Sequence, residues 1–278
     1  MVTKEQPTSF KVKSDIPFYL IMGVIGSFYI ILIVAMIIAD FSYTSREHLL
    51  LSLKSEEIKY AIKLSLFSCT VTMILSVIVA IPIGYVLAKF EFAGKKILDA
   101  IIDIPIILPP LVIGLSLLIL FQTPFGQLIE SGFQVTYAVP SIILAQFTVA
   151  CAFAVRTMAV TFGKINDRQE QVALTLGSNK AQAFWYIVLP QAKEGILTAA
   201  SLAWARALGE FGPILIFSGA TRMKTEVLST TVFLEMSVGN IEAAVAVSLL
   251  MIIAGFMVLM IVRMSGRQRF KKPIYVNG

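Results

Sequence analysis

Charge is scarce in this chain, and side chains that carry chemistry are scarcer still. Of 278 residues only 14% are Asp, Glu, Lys or Arg, with one histidine, His48, and two cysteines, Cys69 and Cys151. A single imidazole leaves little for general acid–base work and offers no ligand set for a metal. His48 therefore reads as solvated surface. Neither H-E-x-x-H, G-x-S-x-G nor a paired Cys-x-x-Cys occurs. A phosphate-cradling loop is missing too, because neither Gly94-Lys95 nor Gly163-Lys164 has the spaced upstream glycine and the following Ser or Thr. The chain thus lacks an ATPase or hydrolase site of its own, and no cofactor is expected in it. Both cysteines fall inside apolar runs, where a disulfide would need adjacent helices and an oxidant, and they read as buried free thiols.

What the chain has in abundance is apolar surface: 57% of residues are hydrophobic and the mean hydropathy is +0.84. That is too much for a water-soluble domain of this size and implies an integral membrane protein. Six runs reach the length of a span, at about 20 residues each: 18–39, 62–88, 102–121, 138–160, 195–219 and 241–263. Their apolar residues are near-continuous rather than alternating, which predicts helices and argues against a barrel. The first run is longer than a signal-peptide core and no small-residue cleavage site is evident, so it is expected to remain as an anchor. The expected architecture is one all-α domain over 1–278 with six transmembrane helices.

Lys and Arg near the span ends give an orientation. Fifteen lie in the N-terminal segment, the second and fourth connections and the tail 264–278 with Arg263 just before it, against five in the opposite connections. Both termini are therefore expected on the cytoplasmic side of the cell membrane. The net charge of +6 follows from this bias. A basic tail of this kind is attracted to anionic lipid, and no nucleic-acid partner is inferred from it.

The connection 163–194 is too patterned to be passive. Asn166 or Asp167 can cap a short helix, Glu170 falls three residues after Asp167 as in a capping box, and Val172 and Leu176 share a face. Gly177 supplies a left-handed end, Ser178 offers a fresh cap, and a second helix should run through Trp185 and Ile187 and stop before Pro190. The apolar residues Val172, Leu176, Phe184 and Trp185 then need a cover, either this chain's own helix ends or a separate protein.

Two membrane-buried stretches carry further signals. Ile104 to Pro110 includes Pro105, Pro109 and Pro110, which delete helical hydrogen bonds and either line a transport path or simply kink the helix. In the fifth run, Arg206 falls about 16 Å along a helix starting near Gly195, close to the middle of a core about 30 Å thick. A charge there costs roughly 2.5 to 3.5 kcal/mol and must face the interior or water. Glu210 lies four residues on and can neutralise it, as a structural ion pair or as part of a pathway. Gly209, Phe211, Gly212 and Pro213 follow, and the glycines with the proline should weaken the helix there. Gln146 reads as an amide bonding across helices, and 122–137 as an external turn.

These residues resemble a known family. Ala173, Gly177 and Ile187-Val188-Leu189-Pro190, in that spacing, are similar to the "EAA" coupling loop of ABC importer permeases. The acidic first position of that pattern falls on Gln171 and the next alanine on Val172, with Glu170 one residue away. Ala207 to Gly212, A-L-G-E-F-G, resembles the corresponding stretch of molybdate, tungstate and sulfate permeases, as does the Pro-rich third run. The resemblance implies a type I importer permease whose loop docks on separate cytoplasmic ATPase subunits, where ATP and Mg would be held. It further implies an external substrate-binding protein, a second copy of the permease as a homodimer, and import of molybdate or tungstate by alternating access. A sulfate importer of the same family is the alternative within the class. From another class, a secondary transporter or channel coupled through Arg206 and Glu210 would need no ATPase, but the Pro-Pro of the third run has no counterpart in the sixth, so no inverted repeat is evident.

Overall fold

The computed structural model describes residues 16–44 and 53–265. His48, Arg46, the basic residues before Ile16 and the tail from 266 onward lie outside the described residues. Among those described, regular structure is helical throughout.

Helix α1, Ile16–Tyr43, forms a unit by itself. It is apolar all round rather than striped, and none of its residues is buried, as suits a helix solvated by lipid.

The second unit is built on α2 (Glu56–Lys89), then α3 (Lys95–Ile107), α4 (Pro110–Gln122), α5 (Pro124–Gly132) and α6 (Val139–Lys164). The loop helices α7 (Asp167–Thr175), α8 (Lys180–Ala183) and α9 (Leu189–Gln191) follow. A π-helical turn, Phe184–Val188, lies between α8 and α9. The chain ends with α10 (Lys193–Leu208), α11 (Gly212–Phe217), α12 (Leu228–Ser237) and α13 (Ile241–Ser265). Its core is a bundle of α2, α6 and α10, whose seam is rich in small residues: Ala61, Ala80, Ala150, Ala154, Ala199, Ala203 and Ala207 are all buried. Without a hydrophobic drive between helices in lipid, close backbone approach supplies the packing. Gly84 makes one such contact, for a Cβ there would lie 2.6 Å from Met158 Cβ and 2.9 Å from the Ala159 nitrogen. Gly84→Ala is therefore expected to push α2 and α6 apart and cost about 1–3 kcal/mol, read as a lowered melting temperature in detergent.

A polar thread crosses the same seam. Gln146, on α6, donates to the Ala207 carbonyl at 3.1 Å on α10 and accepts from the Thr72 hydroxyl at 3.1 Å on α2. It ties three helices, as its isolation in an apolar run suggests. Cys69 is buried, Cys151 half-buried, and both are free.

Two of the six apolar runs are not continuous helices. Among the described residues, four helices are individually long and apolar enough to span: Ile16–Tyr43, Glu56–Lys89, Val139–Lys164 and Ile241–Ile261. The third run divides into α3 and α4, bent by 112° at Leu108 and Pro109. The adjacent pair Pro109 and Pro110 removes two successive donors and breaks the helix, whereas the single Pro105 lies inside α3. The fifth divides at Gly209 to Phe211 into a 16-residue α10 and a 6-residue α11. The 122–137 connection is also more than a turn, since it contains α5. Its one acid, Glu130, accepts from the backbone N–H groups of Val135 at 3.1 Å and Thr136 at 2.6 Å. The Thr136 hydroxyl, which also donates to it, holds its pKa below the ordinary carboxylate value, and the two backbone donors add to this.

Candidate functional site

The loop after α6 is two capped helical pieces around a fixed bend. Asn166, not Asp167, is the cap of α7, its side chain accepting from the Arg168 N–H at 3.0 Å. The end of α7 is closed by two backbone bonds, Ser178 N–H to the Ala173 carbonyl and Gly177 N–H to that of Leu174, both at 3.1 Å. This is the Schellman pattern, and Gly177 holds the φ of +94° that it needs. The next helix starts one residue later than the sequence suggests. Asn179, not Ser178, is its cap, in a reciprocal box with Gln182 at 2.8 and 2.9 Å. Nor does Pro190 end it. The chain widens into the π-turn Phe184–Val188, where Leu189 N–H bonds to the Phe184 carbonyl, and the wider turn lets the proline ring pass the carbonyl it would otherwise strike.

The cover for the loop's apolar residues is divided. Phe184 turns inward and packs edge-on against Tyr85 with ring centroids 4.8 Å apart, beside Phe162. Ala173, Ala183 and Val188 are buried as well. Val172, Leu176, Trp185 and Tyr186 remain 56–81% exposed, and Ile187 and Leu189 are half-buried. Gln171 and Pro190 are exposed. Glu170 takes no part in a capping box. Its carboxylate accepts from the Tyr85 hydroxyl at 2.8 Å, binding α7 to the end of α2. Lys89 makes a second tie, donating to the Ile165 carbonyl at 2.7 Å and pairing with Asp167.

The two helix breaks meet. A Cβ on Gly212 would lie 2.7 Å from Pro110 Cβ, and one on Gly114 would lie 2.8 Å from Pro213 Cα. Pro109 caps α4 and Pro110 is its first residue, so the Pro-rich break and the Gly-Pro break are packed backbone to backbone. Just before the second break, Arg206 Nη1 lies 2.7 Å from Glu210 Oε2. Glu210 is 1% exposed and that oxygen has no hydrogen bond of good geometry, so the contact is chiefly Coulombic. Because Gly209 already caps α10, the pair forms across the helix end rather than along a continuous helix. Arg206 also lies over the Phe153 ring, 6.0 Å from its centroid, and Phe211 packs against Phe233 with centroids 5.4 Å apart.

Sequence reasoning missed a second intramembrane cation. Arg156, on α6, donates Nε to Asp103 at 2.6 Å, Nη1 to Asp99 at 2.5 Å and Nη2 to the Asp99 carbonyl at 2.8 Å. The signal was present, as Asp99 and Asp103 sit at i,i+4 and an arginine lies within the fourth run. A third cluster joins Arg222 to Glu235 at 2.8 Å and to Glu57. Near it Glu226 is fully buried, and burial pushes its pKa above the usual carboxylate value.

Residues 80–270 match the family described as the inner membrane component of binding-protein-dependent transport systems. The chain belongs to this family. The permease is 34% identical over 204 residues to the molybdate/tungstate transport system permease protein WtpB of Pyrococcus abyssi, covering 73% of this chain and 78% of that protein. It is 31% identical over 202 residues to the sulfate transport system permease protein CysT of Salmonella typhimurium, covering 72% and 73%. A third relative is a probable transport system permease protein, NifC, of Clostridium pasteurianum, at 30% over 270 residues, 95% and 92%. In fold, the permease is similar to a chain of a bacterial alginate ABC transporter solved with an alginate-bound periplasmic protein, with a TM-score of 0.72 at 18% identity over 91% of this chain and 94% of that one. Membership makes it a multi-pass component of the cell membrane and the transport subunit of an ABC importer rather than an enzyme in itself. It also implies partners of two kinds, ATPase subunits and a substrate-binding protein.

Proposed function

We propose that the permease imports a tetrahedral oxyanion of the molybdate, tungstate or sulfate kind by alternating access, with residues 163–194 as the element that ATPase subunits move. In this reading the two interrupted helices count as spans, giving six, with both termini and the loop cytoplasmic and the basic tail 264–278 against lipid. Two copies would form the path as a homodimer, and ATP and Mg would be held by the partner ATPases. The observation that carries it is the division of the loop. One side, Phe184, Ala173 and Val188, is locked to the bundle through Tyr85 and Lys89, while Val172, Leu176, Trp185 and Tyr186 present an exposed apolar face. A face of that kind rimmed by polar residues suits a protein partner. Gln171, Ile187, Leu189 and Pro190 flank it, and the gate is assigned to Pro109, Pro110, Arg206, Gly209, Glu210, Phe211 and Gly212.

The oxyanion class rests on the relatives, whose names divide between molybdate/tungstate and sulfate. The three anions share charge and tetrahedral shape, and the binding protein would do most of the selecting. The test is uptake of labelled molybdate and sulfate by proteoliposomes holding permease, ATPase and binding protein. ATP-dependent uptake is expected; uptake driven by an ion gradient without ATP would favour a secondary transporter instead.

Gly177→Val gives a sharper check on the loop. No atom lies within 4 Å of a Cβ built there, so the substitution strains only the backbone. Holding valine at positive φ costs about 1–3 kcal/mol, little against the whole fold but large against the docking of one loop. The variant is expected to insert normally and to copurify poorly with its ATPase.

A further inference from the structure

We propose that Arg156 is a second anion station, one helical turn beyond Arg206 on the way to the coupling loop, which a tetrahedral divalent oxyanion occupies transiently by displacing Asp99 and Asp103. The proposal rests on the oxyanion reading above and deepens it.

Positions 153, 156, 157, 160, 161 and 164 recur at three- and four-residue intervals and so share one face of α6. At the inner end of that face Phe153 carries the Arg206 guanidinium. Arg156 comes next, about 4.5 Å further along the axis, and Lys164 ends the helix. A cavity of about 810 Å³ opens along this stretch, lined among others by the cations Arg156 and Lys164, by Thr157, Thr161 and Thr198, and by one acid, Glu194. Arg156 and Lys164 supply the cationic donors that an oxyanion needs, while the Thr157, Thr161 and Thr198 hydroxyls donate to carbonyls of their own helices. Each guanidinium is nevertheless covered: Glu210 lies against Arg206, and Asp99 and Asp103 engage three nitrogens of Arg156.

That covering explains how a cation in the path can pass a dianion without trapping it. A bare arginine in a low-dielectric channel would bind tightly and release slowly, whereas conduction requires sites strong enough to enter and weak enough to leave. With tethered carboxylates as competitors, the anion exchanges for a carboxylate on arrival and the carboxylate returns on departure. The bidentate fork of Arg suits either partner.

A purely structural clamp between α3 and α6 is the opposing account, and the two differ in the sign of one measurement. Equilibrium binding of molybdate and of sulfate to the permease in nanodiscs is measured for wild type, Arg156→Gln, Arg156→Lys and the double variant Asp99→Asn/Asp103→Asn. Uptake is measured with the same anions in proteoliposomes of the full complex. Removing the carboxylates should tighten anion binding about tenfold, equivalent to about 1.4 kcal/mol, and slow uptake because release becomes limiting. Arg156→Gln should lower both binding and uptake about tenfold, with Arg156→Lys between it and wild type. Unchanged or weaker binding in the carboxylate variant overturns the station. Should Arg156→Gln not assemble, Arg156→Lys binding as tightly as wild type does the same. If wild-type complex moves neither anion with ATP, the oxyanion reading itself fails; if it does and the variants bind alike, only the station fails.

Discussion

Arg206→Ala is expected to abolish transport and to destabilise the permease at once. Removing the guanidinium leaves Glu210, 1% exposed, as a buried carboxylate without its counter-ion. Losing one partner of a buried pair costs about 3–5 kcal/mol, so the melting temperature in detergent should fall markedly. The double variant Arg206→Ala/Glu210→Gln separates the two consequences. A neutral amide removes the unpaired charge, so stability should largely return, while uptake should stay absent because the path has lost its cation. Recovery of uptake in the double variant would make the pair structural only. Wild-type uptake in Arg206→Ala alone would remove both roles.

The neighbours Phe184 and Trp185 should give opposite phenotypes. Trp185 is 62% exposed, so Trp185→Ala should leave the fold near wild type. If the ATPase covers that side chain, truncating an aromatic anchor costs about 2 kcal/mol or more, roughly a thirtyfold loss of ATPase affinity. Phe184 packs on Tyr85 and Phe162. Phe184→Ala should instead lower stability, by less than the roughly 3–5 kcal/mol of a fully buried aromatic because the ring is only partly buried, with any loss of ATPase binding following from the loosened loop. Binding is measured by titrating purified ATPase onto permease in nanodiscs, and stability by melting. Equal ATPase affinity for Trp185→Ala and wild type would take the exposed face out of the coupling role.

What could be read locally was read well. The left-handed Gly177, a cap at Asn166 or Asp167, of which Asn166 serves, the cross-helix amide Gln146 and the break after Arg206 each depend on a few adjacent residues or on one polar group in an apolar run. At the second helix the expected cap, Ser178, was wrong by one residue, because only Asn179 closes a reciprocal box with Gln182. The rule that proline ends a helix failed at Pro190, because a π-turn accommodates it.

The sequence alone determined that this chain is helical and membrane-embedded, because composition and the length of apolar runs decide those matters without reference to partners. Its resemblance at 171–190 and 207–212 pointed to the family that the comparison later established. Only the tertiary structure decided that the third run bends by 112°, that Phe184 faces in while Trp185 faces out, and that Glu170 belongs to Tyr85. It likewise decided that Arg156 belongs to two aspartates more than 50 positions away. A charge in an apolar run announces that it must have a partner, because lipid cannot solvate it. Which partner it takes depends on how distant helices pack, and no short stretch of sequence carries that.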